Sequence, residues 1–410
     1  MKFSTSSIKS CAARIGTLTE FERIPNAIFE TPLALIYTKG GCVPHLTKDV
    51  FKMVTSDPQM LSVSLSSTYL MLESMKDNNV NFANFYINFV TIHDPGYTTP
   101  SGFREANSIP IWTRGGKLTL TPNMYMNVIE TFKPDMYVAL CDGDTNINSS
   151  KKRVSNSVQN SMKFFDQCFT KHSSSEALKS SEILGAIEGG YDKGARTKSI
   201  NYLKTKPVIG YVIDGLHNNG PDVKNIPSEQ IREIVQHTIL KVSVGCWNPL
   251  TVLDLVELGT DIFDTSYPYI ITENLRALTF LCDHDDCNNV GHTISFTEES
   301  RYADDFSPIC SHCECLTCKN HTKAYLYHLC NVKEMLGTVL LMIHNVHQYL
   351  EFFKIIREIY VTYHVMVSQP LIALQRNHHI NQFHFGILCN AILYLLEDLL
   401  HKLNTVKINH

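Results

Sequence analysis

LKVSVGCWNPLTVLDLVELGTDIFD, residues Leu240–Asp264, holds in miniature the unit from which the chain is built. A short apolar, β-branched run (Leu240–Gly245) is followed by an amphipathic helical stretch (Leu250–Leu258) and a second short apolar run (Ile262–Asp264). A strand, a helix and a strand in that order predict a parallel pair, because the helix carries the chain back to the end where the first strand began. The rhythm extends both ways. Further strand-like runs stand at Leu33–Thr38, Tyr86–Ile92, Met136–Cys141, Ile183–Ile187, Val208–Ile213 and Leu278–Leu281, with helical patterns at Asn123–Phe132, Ser157–Cys168 and Ser228–His237. The class is α/β. An open doubly wound sheet shares this periodicity, and a strand count near eight is what favours a closed (β/α)8 TIM-type barrel. The polar segments Asp142–Asn156, Lys171–Ser181 and Leu216–Ser228 are expected as loops after strands, where a barrel has its working face.

The 410 residues accommodate such a barrel with insertions. Hydrophobic residues at 44% and charged residues at 19% exclude a disordered chain. Lys+Arg 36 against Asp+Glu 40 leaves a net charge of −4, which argues against binding nucleic acid through bulk charge, so any RNA contact is local. Lys151, Lys152 and Arg153, with Lys163 further on, form a small basic patch compatible with phosphate; individually they also read as solvated surface. Met1–Glu20 has Lys2, Lys9 and Arg14 before its first acid but no continuous apolar stretch, and reads as folded protein. The longest candidate span, Phe385–Leu396, is 12 residues long and runs into Glu397 and Asp398, too short to cross a bilayer.

Seven of the 13 cysteines fall between Cys282 and Cys330, and an odd, uneven set favours metal and a reducing compartment over a disulfide framework. The strand–helix rhythm stops at Asp283 and a helical pattern returns from about Thr322 to Tyr360, which marks an inserted module. Within it, Cys313-x-Cys315-x-x-Cys318 can face one ion from a tight loop, and His344, 26 residues on, can close a tetrahedron from a helix. Three sulfurs and one nitrogen specify zinc, and four protein ligands specify a structural site. Cys310, His312, His321, Cys330 and His347 compete for the fourth place, and spacing alone does not choose. Cys282 and Cys287 with His284 and His292 offer a second set, equally readable as a solvated acidic loop.

HCECLTCKNHTKAYLYHL (His312–Leu329) with LLMIHN (Leu340–Asn345) resembles the zinc region of the tRNA-guanine transglycosylases, a (β/α)8 barrel family that exchanges a guanine base in tRNA. TPLALIYTKGGCVPHLT (Thr31–Thr47), IEGGYDKGAR (Ile187–Arg196) and LGTDIFDTSYPYIITENLRALTF (Leu258–Phe280) are similar too, and the likeness runs from about residue 10 to 360. The VPHLT and SYPYIITE forms look closest to the family's eukaryotic non-catalytic members. The resemblance implies a (β/α)8 barrel over 1–281, a zinc-binding insertion and closing helix over 282–360, and a divergent tail, partly helical, over 361–410. It also implies one structural Zn2+ held by Cys313, Cys315, Cys318 and His344.

In catalytic members of the family an Asp attacks the ribose at the wobble guanosine and a second Asp handles protons, so paired carboxylates are the expected chemistry. Asp264, in IFDTSYP, stands at the nucleophile position. The second acid's Asp-Ser-Gly-Gly-Phe-Gln signature is replaced by HDPGYTTPSGFREANSIPIWT (His93–Thr113), where Asp94 lies in a turn context. The base-binding Gly-Gly-x-x-Val-Gly-Glu segment is replaced by IGYVIDGLHNNG (Ile209–Gly220), placing Asp214 and Gly215 there; Asp142 matches the base-reading aspartate, with Asp144 beside it. These departures imply no catalytic residues of its own, Asp264 being a structural acid. The chain is then a non-catalytic subunit, partnered with a catalytic queuine tRNA-ribosyltransferase subunit in a heterodimer acting on tRNA. The resemblance places it in the cytoplasm and at the mitochondrial outer membrane as a peripheral associate. The alternatives are an independently active transglycosylase using Asp264, or a zinc-stapled module binding RNA or protein.

Overall fold

A computed structural model describes residues 1–7, 13–78, 86–103, 105, 107–216, 239–282, 293–298 and 300–368. The expected helix Ser228–His237, most of the loop Leu216–Ser228, the set Cys287, His284 and His292, and the tail from 369 lie outside the described residues. The chain divides into two compact units, Met1–Phe353 and Lys354–His410. Among the described residues, no helix is long and apolar enough to cross a membrane.

The first three strands, β1 (Lys2–Ser7), β2 (Arg14–Thr19) and β3 (Phe29–Thr31), form an antiparallel sheet. Eight parallel strands then close on themselves: β4 (Leu33–Thr38), β5 (Met60–Ser64), β6 (Ile87–Thr91), and, past a hairpin of β7 (Ile109–Thr113) and β8 (Gly116–Leu120), β9 (Met136–Val138), β10 (Glu182–Ile187), β11 (Gly210–Ile213), β12 (Leu240–Ser243) and β13 (Ile262–Asp264). β13 pairs with β4, Ile262 beside Leu33 and Asp264 beside Leu35, and that pairing completes the barrel. Nearly every barrel-strand residue is buried, as expected of parallel strands covered on both faces. Helices such as Pro122–Phe132, Lys151–Ser174, Lys193–Leu203 and Pro249–Glu257 link successive strands.

The barrel confirms the fold and corrects its strand list. Leu278–Leu281 is not a barrel strand: Arg276–Leu278 (β14) pairs antiparallel with Thr293–Ser295 (β15) outside it. The eighth strand is β5, MLSVS, which lacks an apolar run because serines alternate through it. Both serines are buried, the Ser62 carbonyl accepting from Thr38 Oγ1 at 2.7 Å and Ser64 Oγ donating to Ser67 Oγ at 2.8 Å.

Two expected loops are partly helical. Ser150 caps a helix that already begins at Lys151, its Oγ accepting from Arg153 N at 3.2 Å, and the helix continues to Ser174. Only Asp142–Ser150 is left as the loop after β9. The helical pattern from Thr322 to Tyr360 is two helices, Lys323–Asn331 and Met335–Ser368, separated where Lys333 takes a left-handed φ of 59°.

The N-terminal sheet is fastened to the barrel's N-terminal rim. Arg14 donates from Nε to Asp261 Oδ1 at 2.8 Å, just before β13, while Asp261 Oδ2 accepts from Lys241 N at 2.7 Å. Arg23 pairs likewise with Asp135, just before β9. Charge pairs buried here hold the closed end together, which leaves the C-terminal rim for chemistry.

Candidate metal centre and barrel mouth

Cys313, Cys315, Cys318 and His344 converge, with all four candidate ligand atoms within 4.8 Å of one another. Cys315 caps the short helix Leu316–Asn320 and its Sγ accepts from Cys318 N at 3.3 Å, so the loop's own capping turns two sulfurs to one side. His344 Nδ1 lies 3.8, 3.5 and 3.3 Å from the sulfurs of Cys313, Cys315 and Cys318. Its Nε2 is 2.8 Å from the Leu278 carbonyl. A carbonyl only accepts, so Nε2 carries the proton and Nδ1 presents its lone pair to the sulfurs, the orientation that a carbonyl behind a metal-binding imidazole imposes. The separations match the edges of a tetrahedron with bonds of about 2.0–2.3 Å, so these residues fit a metal ion. Cys310, His312, His321, Cys330 and His347 do not join the group; among the described residues the fourth place belongs to His344.

Asn345 fixes the backbone that orients this imidazole. Its Oδ1 accepts from Leu278 N at 2.8 Å, and its Nδ2 donates to Thr272 Oγ1 at 2.9 Å and to the Arg276 carbonyl at 3.0 Å. Asn345→Ala is therefore expected to weaken metal binding about 10–100-fold, measured by competition with a chromophoric chelator. It leaves a buried N–H and a buried carbonyl unpaired, at about 1–3 kcal/mol of stability. Unchanged metal affinity would refute the orienting role.

At the other rim Asp264 ends β13, fully buried. Ser266 N donates to its Oδ1 at 2.7 Å, Oδ2 has no partner, and burial pushes the carboxyl pKa up to about 7. Asp94 forms the turn that its D-P-G context predicts, accepting from Gly96 N at 2.9 Å and also from Tyr37 Oη at 2.7 Å. It does more than turn the chain. Its charge also raises the Asp264 pKa, a smaller effect than burial.

The position matched to base reading is engaged internally. Arg153 clasps Asp142 with both terminal nitrogens, Nη1 to Oδ2 at 3.0 Å, and Asn160 Nδ2 adds a bond at 2.9 Å. The basic patch is solvated at its lysines, while its arginine is engaged internally. Arg153 is held by a buried acid, while Lys151, Lys152 and Lys163 are all open to solvent, Lys163 Nζ also donating to Asn107 Oδ1 at 2.7 Å. Asp144 accepts from Gly102 N at 2.8 Å. Cys141 Sγ donates to Asp214 Oδ2 at 3.1 Å, with Glu188 next to both. Sequence reasoning passed over Glu188 and Cys141, and the only signal for the glutamate was the EGG of Ile187–Arg196, where Gly189 (φ 134°) and Gly190 (φ 52°) mark a tight strand end.

A closed parallel barrel with acids at its strand ends and a three-thiol, one-imidazole group able to hold a metal ion defines a (β/α)8 protein with a candidate metal clamp. The chain belongs to the queuine tRNA-ribosyltransferase family, whose model matches residues 9–360. It is 39% identical over 373 residues to the queuine tRNA-ribosyltransferase accessory subunit 2 of Anopheles gambiae, covering 87% of this chain and 86% of that one. The proteins of the same name from Culex quinquefasciatus and Drosophila melanogaster are each 38% identical, over 375 and 378 residues, covering 87% of this chain and 87% and 88% of theirs.

Proposed function

We propose that the chain is an accessory subunit of a queuine tRNA-ribosyltransferase, pairing with a catalytic subunit to support the exchange of guanine for queuine at the wobble position of tRNA. The observation that carries this reading is the occupied mouth: Arg153 and Asn160 take up Asp142, and Asp214 stands with Glu188 where catalytic members keep a glycine-rich base pocket. A base entering there would meet buried carboxylates in place of free hydrogen-bonding edges, and their desolvation opposes its binding. The clamp holds zinc, which supplies structural cross-linking of the module to the long helix. The chain's remaining work is contact with the catalytic subunit and with tRNA.

The test is release of label from guanine-labelled cognate tRNA in the presence of queuine. The chain alone is expected to release none, and its addition to the catalytic subunit to raise exchange well above that of the catalytic subunit by itself. Release by the chain alone, abolished in Asp264→Ala, would establish instead the second reading, an independently active transferase; the burial of Asp264 at the end of a barrel strand is what favours it.

A further inference from the structure

Away from the clamp, one other set of metal-ligating side chains converges among the described residues: Cys141, Glu188 and Asp214, whose ligand atoms lie within 4.8 Å of one another. They come from the C-terminal ends of three adjacent strands, Cys141 following β9, Glu188 following β10 and Asp214 following β11. Glu188 is fully buried, and neither of its carboxylate oxygens has a hydrogen-bond partner. The nearby cation, Arg196, directs Nε to the Gly190 carbonyl at 2.9 Å and Nη1 to the Ile187 carbonyl.

Two glycines keep the space clear. A Cβ at Gly143 would stand 2.7 Å from Asp214 Oδ2, and one at Gly215, whose φ is 73°, would stand 2.6 Å from Glu188 Oε2. Burial drives both the Glu188 carboxyl and the Cys141 thiol well above their ordinary ranges. The buried Arg196 guanidinium offsets part of the charge of the two carboxylates, but the three ligand atoms still converge with no hydrogen bond to either Glu188 oxygen.

We propose that Cys141, Glu188 and Asp214 form a second metal site, taking a divalent transition ion of the zinc type. One thiolate and two carboxylates suit a borderline ion better than magnesium or calcium, which favour all-oxygen sets. Three protein ligands leave a coordination position open, in contrast to the closed clamp. That position borders the cleft lined by His93, Trp112 and Asp144. The assignment is independent of pairing with a catalytic subunit.

The experiment counts metal on the full chain. After loading with Zn(II) and dialysis, elemental analysis is expected to find two zinc ions per chain in the wild type and one in the Glu188→Gln, Asp214→Asn variant, with the clamp intact in both. Cys141→Ser, which changes a single atom, provides the same count should the double variant be insoluble. Added Zn(II) is also expected to raise the melting temperature of metal-depleted wild type further than that of Cys141→Ser. One zinc per chain in the wild type, or two in both variants, would overturn the site and leave the cluster as a proton-sharing group.

Discussion

Cys318→Ala in the full chain is expected to lose the clamp's metal and to melt the segment that it holds. The three sulfurs and His344 join a short loop to the long helix, and His344 in turn holds the β14–β15 hairpin through the Leu278 carbonyl. Structural zinc contributes on the order of 10 kcal/mol in isolated zinc-finger peptides. If half of that is realised here, at about 1–2 °C per kcal/mol for a chain of this size the melting temperature falls by roughly 5–10 °C. Calorimetry with zinc analysis checks it. Cys330→Ala is the control: its thiol is buried but outside the group, so it should keep the metal and lose only the small packing contribution of one sulfur. A Cys318→Ala protein that melts with the wild type would show that the clamp is not structural.

Asp264→Asn is expected to stabilise the chain, and by more as pH rises. Burial lifts the Asp264 pKa to about 7 in the folded state, against about 3.9 unfolded. A carboxyl raised in this way holds its proton more tightly when native, so its stability contribution is fully present below pH 3.9 or so and is lost as pH rises through 7. Above that the deficit levels off near about 4 kcal/mol, at 1.36 kcal/mol per unit. Asparagine still accepts the Ser266 N–H through its own Oδ1 and carries no charge to desolvate. The gain in melting temperature should thus be small at pH 4–5 and largest at pH 8; a gain that does not vary with pH would contradict the raised pKa.

Much of this was legible in the chain because its signals are local. Apolar runs mark seven of the eight barrel strands, and the thiol spacing marks the clamp, since Cys313, Cys315 and Cys318 meet within a single capped turn. β5 escaped because its core-facing chemistry is partly serine, and serine in a run reads as a loop. The ion pair of Arg153 with Asp142 spans only 11 residues but depends on where the helix begins, which the cap at Ser150 fixes and periodicity does not. The meeting of Cys141, Glu188 and Asp214 has no local signature at all. Barrel closure sets strand ends side by side that lie far apart in sequence, and that juxtaposition exists only once the last strand has docked.

The β4–β13 pairing joins residues 33–38 to residues 262–264, and a ribosome makes the first long before the second. At about 5–20 residues per second the interval is roughly 10–45 s. Throughout it the nascent chain presents one hydrogen-bonding edge of β4, apolar from Leu33 to Tyr37, with nothing of its own yet synthesised to cover it. Shelter for that edge during translation is thus a requirement of this topology.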